Sequence, residues 1–304
     1  MELSQVISDD LKLDKQYIDN VISKADSSYK EYFIPKKNGG VRAVAQPSPE
    51  LKTLQYWVSY NILQKLPVSK AAFAYKHGDS IKKHARFHCE SKHLLHTDIS
   101  SFFPSIHLSH LKEILEQHTK VIYDLHLDFD EAINQIGKIC FRDNSLCIGA
   151  VSSPVISNVI MNTVDMEIIE YCKSNELLYS RYADDIYISS KDYISPDVLN
   201  FLRDVLQKHS FEINTDKTRF YSTKYRRKVT GLVLTNDAKI SVGLKRRKQI
   251  KTMVYQKLVH HKGDSNQILG YLSYLKDIEP NTYNNLIIKY SNYCKEDIIK
   301  ELMK

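Results

Sequence analysis

Two aspartates stand side by side in Leu178-Tyr-Ser-Arg-Tyr-Ala-Asp-Asp-Ile-Tyr-Ile-Ser189, inside an otherwise apolar, β-prone run. Two like charges in one place raise each other's pKa, and hiding both in a strand pair is costly. A plain β-turn at Ala183-Asp184-Asp185 that exposes both acids accounts for this run taken alone. It does not account for Leu94-Leu-His-Thr-Asp98, where a second apolar run ends in an aspartate. If the two strands are neighbours, Asp98, Asp184 and Asp185 converge at one sheet edge. Carboxylates gathered without matching bases suit a hard divalent cation. Mg²⁺ takes oxygen ligands and keeps waters and substrate phosphates. That is the layout for phosphoryl transfer with two ions, one lowering the pKa of an attacking hydroxyl and the other stabilising a leaving pyrophosphate.

The elements that must hold these acids follow from periodicity. Residues 1–30 read as helical. Tyr32–Ala45 reads as a hairpin around Asn38-Gly39-Gly40, a turn signal. An apolar face at Leu51, Leu54, Trp57, Val58, Ile62 and Leu66 predicts a helix over 47–66. Strand 93–99 precedes helices at 109–117 and about 130–141. Ser152-Ser153-Pro154 opens a helix to Cys172. The hairpin 177–190, a helix at 197–209 and a strand-like run 211–222 come next. Short strands at 228–234 and 239–242 flank an Asn236-Asp237 turn, and the chain is helical from about 244. Hairpins without regular βαβ alternation predict an α+β fold, an antiparallel sheet with helices on one face.

The chain has 304 residues, enough for a large core without staples. Five cysteines, an odd number with no CxxC pair, argue against a disulfide framework. No apolar run approaches a membrane helix, and the N-terminus carries no signal-peptide pattern, so a cytoplasmic protein is expected. The net charge of +7 is uneven: Lys217–Lys262 holds 14 Lys/Arg against Asp237 alone, or +13, and the rest of the chain carries −6. A basic block of that density fits a polyanion such as RNA, because Lys and Arg on phosphates release condensed counterions. A solvated helix face is the alternative. His84 and His88, four apart, have the spacing of metal ligands, but no third ligand stands at a fitting distance.

Tyr182-Ala-Asp-Asp185 resembles the YxDD signature of reverse transcriptases, and Asp98-Ile-Ser-Ser-Phe-Phe103 resembles their first palm motif. Gly149-Ala-Val-Ser-Ser-Pro-Val-Ile-Ser-Asn158 is similar to the PQGAPxSPxLxN motif. Lys36-Lys37-Asn-Gly-Gly-Val-Arg42 resembles the fingers hairpin, and Asn214-Thr-Asp-Lys217 the later palm motif. The resemblance implies a right-hand polymerase: an N-terminal helix and fingers over 1–92, a palm over 93–235 with a fingers segment about 110–148, and a helical, RNA-binding thumb over 236–304. It implies catalysis by Asp98, Asp184 and Asp185, and two Mg²⁺ ions held by Asp98, Ile99, Asp184 and Asp185. Nucleotide contacts would come from Lys37, Arg42, Phe103, Gly149, Ala150 and Lys217, with Phe103 excluding a 2′-hydroxyl.

Two further stretches resemble the retron enzymes within that family: Phe73–His88, similar to their NAxxH insertion, and Lys228-Val229-Thr230-Gly231, similar to their VTG element. RNA contacts are then expected from His84, His88, Arg226, Arg227, Val229, Thr230, Gly231, Lys245, Arg246, Arg247 and Lys248. This implies a cognate structured noncoding RNA, priming from an RNA 2′-hydroxyl and a branched RNA-linked single-stranded DNA (msDNA). Deoxynucleoside triphosphates are the substrates, and an effector protein is a partner in defence against phage. The sequence departs from the motifs at Cys147-Ile148 (Pro-Gln in the family), His84 (Asn) and Val151 (Pro). A group II intron-like or diversity-generating reverse transcriptase, and a noncatalytic RNA-binding scaffold, are the alternative readings.

Overall fold

A computed structural model describes residues 1–36 and 39–303. In chain order, α1 (Leu3–Leu11) and α2 (Lys15–Ser23) precede the strands β1 (Tyr29–Pro35) and β2 (Val41–Pro47). Next come α3 (Pro49–Asn61), α4 (Ile81–Phe87), β3 (His93–Asp98), α5 (Leu108–Gln117), α6 (Lys120–Tyr123) and α7 (Phe129–Cys140). Then follow α8 (Ser153–Ser174), β4 (Leu178–Tyr182), β5 (Asp185–Ser190), α9 (Asp197–Lys208), β6 (Arg219–Tyr221), β7 (Lys228–Val229), β8 (Leu232–Leu234) and β9 (Ile240–Ser241). The chain closes with α10 (Leu244–His260), α11 (Ser265–Ile278), α12 (Pro280–Cys294) and α13 (Ile298–Met303). No helix among the described residues is long and apolar enough to cross a membrane.

The chain divides into two compact units. One comprises Met1–His77, His96–Ile186 and Ser195–Thr218; the other comprises Gly78–Leu95, Tyr187–Ile194 and Arg219–Lys304. One sheet has the strand order β4-β5-β3-β6.

In the first unit, β1 and β2 pair antiparallel from Tyr29↔Pro47 to Pro35↔Val41. α3 starts where expected: Ser48 accepts from the Leu51 amide and Pro49 sits in the first turn, where its missing N–H costs nothing. α8 buries Ile156, Val159, Ile160, Val164 and Ile168 and packs against α5, α9 and β4. Only the end of the expected 211–222 strand forms. Ile213 makes an isolated bridge to Ile99, Thr215–Lys217 is a 3₁₀ turn, and Thr218 Oγ1 donates to Asn214 O at 2.9 Å. Such local side-chain bonds compete with ladder pairing, so the polar Asn-Thr-Asp stretch turns.

In the second unit, α4 packs against the small sheet β7-β8-β9. Thr230 and Gly231 connect β7 to β8 with φ of 45° and 86°. Two left-handed residues in a two-residue loop match the right-handed twist of a hairpin, which is what Thr-Gly supplies here. α10 to α13 form the helical bundle expected after residue 244.

Candidate active site

The first unit encloses a cavity of about 610 Å³ lined by Asp98, Asp184, Phe103, Lys217, Arg42 and Lys36, with Tyr75, Ile99, Ile148 and Asn214 among the other wall residues. Backbone pairing puts the two aspartate-bearing segments together. The Ile99 amide donates to Asp184 O at 3.0 Å, and the Asn214 amide donates to Asp98 O at 2.9 Å. The first bond links the end of β3 to the β4–β5 turn, and the second brings the Lys217 segment alongside. The turn is tight: Ala183 has a left-handed φ of 56°.

Asp98 is buried, and Lys217 Nζ donates to its Oδ2. Its Oδ1 is buried with no hydrogen-bond partner, a costly state for a carboxylate oxygen. The Asp184 pKa is raised, first by burial, then by the charges of Asp185 and Asp98. Both facts describe a place short of positive charge, and a hard cation with oxygen ligands fits it. Asp185 differs. It opens β5, successive strand residues point to opposite faces, and its Oδ1 pairs with His96 Nε2 at 2.9 Å. As placed, two of the three aspartates share the cavity and the third does not line it. Among the described residues, no group of three His, Cys, Asp or Glu side chains is arranged to hold a metal.

Of the expected nucleotide contacts, Arg42, Phe103 and Lys217 line the cavity. Lys37 lies outside the described residues; its neighbour Lys36 lines the wall. Gly149 and Ala150 do not line the cavity, whereas the neighbouring Ile148, where the motif has glutamine, does. Ile148 O accepts from the Ala45 amide at 2.8 Å, and a side chain at Gly149 would meet Ala45 O at 2.5 Å. The glycine, at φ 118°, is therefore what lets this segment lie against β2. Gln55 ties the same segment to its surroundings. It accepts from the Val151 amide at 3.3 Å and donates to Ile139 O at 2.9 Å and Tyr29 Oη at 3.0 Å.

The residues expected to touch RNA divide by exposure. Arg226, Gly231, Lys245 and Lys248 are exposed, as is the neighbouring Lys228, and Thr230, Arg246 and Arg247 are half-buried. His84, His88, Val229 and Arg227 are buried. His88 Nδ1 lies 2.7 Å from Ser189 Oγ, and the His84 ring packs edge-on to Tyr187 with centroids 5.1 Å apart. Tyr187 Oη accepts from the Thr230 amide at 3.3 Å. Arg227 reaches Ser91 O, Thr235 O at 3.2 Å and Asn236 Oδ1 at 3.0 Å. Arg247 pairs with Glu279 at 2.7 Å, while Arg246 bonds Tyr271 Oη at 3.0 Å and covers its ring. Tyr75, Ile148 and Asn214 are cavity residues to which sequence reasoning gave no role. Ile148 left a signal by standing where the motif has glutamine and Asn214 by opening the later palm motif, whereas Tyr75 falls within Phe73–His88 without being marked out.

Residues 34–267 match the family described as reverse transcriptase (RNA-dependent DNA polymerase). The chain is similar to the retron Ec83 reverse transcriptase of Escherichia coli, at 32% identity over 93% of this chain and 92% of that one. It is also similar to the retron Ec73 and Ec86 reverse transcriptases of the same organism. Identity to these is 32% and 31%, over 88% and 91% of this chain and 88% and 84% of theirs. Among solved structures, the apo telomerase of Candida tropicalis superposes with a TM-score of 0.52 at 11% identity. That match covers 88% of this chain and 58% of that one, a likeness of fold.

Proposed function

This chain belongs to the reverse transcriptases, within them to the retron type, and from that premise we propose where it performs RNA-directed DNA synthesis and on which RNA. The reaction takes place in the Asp98–Asp184 cavity. The observation that carries this is the gathering of Asp98, Asp184, Phe103, Arg42 and Lys217 around one space from four separate stretches of chain.

The residues divide the labour by chemistry. Arg42, Lys36 and Lys217 offset the triphosphate charge, Arg42 with a planar fork suited to phosphate oxygens. Phe103 lies under the sugar and excludes a 2′-hydroxyl. Lys217 releases Asp98 when the nucleotide arrives and turns to its phosphates. Asp98, Asp184 and the backbone of Ile99 would hold Mg²⁺, with Asp185 joining on leaving His96. Two such ions, bound there, would supply a more acidic primer hydroxyl and charge stabilisation of the departing pyrophosphate. The fingers comprise residues 1–92 with about 110–148, the palm the rest of 93–235 and the thumb 236–304.

By likeness to the retron enzymes, the template is a cognate structured noncoding RNA, priming uses an RNA 2′-hydroxyl, and the product is branched msDNA. The setting is the cytoplasm and a phage-defence system with an effector protein. The exposed Arg226, Lys228, Lys245 and Lys248 meet the RNA backbone. Buried His84, His88, Val229 and Arg227 hold the hairpin that presents Thr230 and Gly231. Expression with the native flanking DNA tests this. The expected product is a DNA that survives RNase and changes mobility on debranching; an unbranched copy, or none, contradicts the retron reading.

A further inference from the structure

Tyr75 stands in the cavity wall with Asp98, Phe103 and Asp184, in the left-handed region at φ 59°. A bulky aromatic residue adopts that conformation only where its surroundings impose it. Here they do. Ala72 bridges Arg181 in parallel, with the Arg181 amide donating to Ala71 O and the Phe73 amide to Arg181 O, each at 2.8 Å. Ala74 O, one residue before Tyr75, then accepts from Asn158 Nδ2 at 2.8 Å.

The same network reaches the catalytic turn. Arg181 is fully buried, with Nε and Nη2 on the Asp165 carboxylate at 2.9 and 2.8 Å. Its Nη1 donates to Asn158 Oδ1 at 3.2 Å and to Ala183 O, one residue before Asp184, at 2.9 Å. Tyr179 Oη donates to Asp165 at 2.6 Å. A buried ion pair gives little net stability over a well-packed apolar pair, so its worth here lies in what it fixes. It fixes the residues preceding Tyr75 and Asp184 to one another. Burial and the Asp184 charge push the Tyr75 phenol pKa upward, with Arg181 and Arg42 opposing, so the hydroxyl remains a donor at neutral pH.

We propose that Tyr75 contacts the incoming deoxynucleoside triphosphate, and that Asp165, Arg181 and Asn158 are positioning residues that set its place relative to Asp184. This rests on the cavity being the polymerisation site. The test is steady-state incorporation on a primed RNA by Tyr75→Ala, Tyr75→Phe, Asn158→Ala and the Tyr75→Ala/Asn158→Ala double variant, each checked for folding by circular dichroism. Tyr75→Ala is expected to raise the nucleotide KM about tenfold with much less change in kcat, and Tyr75→Phe to raise it less. Asn158→Ala should also raise KM, and the double variant should be no worse than Tyr75→Ala alone, because both substitutions remove the same interaction. Loss of folded protein would lower the active fraction without moving KM. If Asn158→Ala does not fold, Asn158→Ser replaces it. A KM within about twofold of wild type for Tyr75→Ala, or KM effects that multiply in the double variant, would overturn the proposal. A wild-type protein that incorporates nothing would instead overturn the polymerisation reading, and this inference with it.

Discussion

Asp184 is disfavoured as an anion by burial and by the charges of Asp185 and Asp98. Its folded-state pKa lies above the ordinary carboxylate value, so the native state binds the extra proton. Stability contributed by this group is present at low pH and lost as pH rises through that window. Asp184→Asn should therefore abolish DNA synthesis while leaving the melting temperature of the metal-free protein at neutral pH unchanged or higher. Thermal melts check this, and a marked fall in Tm would contradict the electrostatic account. Mg²⁺ should raise Tm in the wild type more than in this variant, by linkage. Phe103 carries a separate expectation. Phe103→Val should admit ribonucleotides, read as the ratio of rNTP to dNTP incorporation, and an unchanged ratio would remove Phe103 from the sugar gate. At this scale the sequence is most informative where chemistry is concentrated: acids in apolar strands stand out by their cost. Tyr75 carries no such mark, because its place is set by Asn158 and by bonds to β4, which no local pattern announces.

Among the elements, α4 and the β7–β8 hairpin depend on one another. His88 is pushed down to about 3 by burial, with His84 adding to the shift, so its ring is neutral in the native state. The unfolded chain binds a proton near pH 6.5 that the folded ring refuses, so stability is lost as pH falls from there toward about 3. Denaturant midpoints taken across that range should fall with acid in the wild type and less steeply in His88→Asn. Equal slopes would contradict the buried neutral ring. Gly231 has φ 86° and open space around its Cα, so Gly231→Val adds backbone strain alone. The expected cost is about 1–2 kcal/mol in urea unfolding. The hairpins are legible in the sequence because turn residues and alternation agree with the global fold. The 211–222 stretch departs from its expected strand because β-prone Phe211, Ile213 and Phe220 mask the polar turn between them. The histidine motif has the spacing of metal ligands and reads, by resemblance, as an RNA contact. Its burial comes from packing on β5 and the β7–β8 hairpin, which spacing alone does not encode.

Across the whole molecule, the basic block from Lys217 to Lys262 combines two kinds of charge. Arg227 and Arg247 are committed to internal partners, while Lys245 and Lys248 point to solvent. Reversing Lys245, Arg246, Arg247 and Lys248 together would break the Arg247–Glu279 pair and confuse folding with binding. Lys245→Glu with Lys248→Glu should weaken RNA binding and flatten its dependence on salt, roughly one unit of slope for each phosphate no longer neutralised. An unchanged slope in a filter-binding titration would return these lysines to the solvated face. The bundle of α10 to α13 is legible as helix from its composition, whereas the split between structural and exposed basic residues is not.

On the proposed reading, Asp98 and Asp184, distant in sequence and joined at one cavity, make this chain copy RNA into DNA. Incorporation of labelled deoxynucleotide on a primed RNA, with Mg²⁺ and after its removal by chelation, tests it most directly. Extension by the wild type should stop on chelation, return with added Mg²⁺, and be absent in Asp98→Asn and Asp184→Asn. Extension that persists in both variants, or none by a folded wild type that still binds RNA, would contradict it.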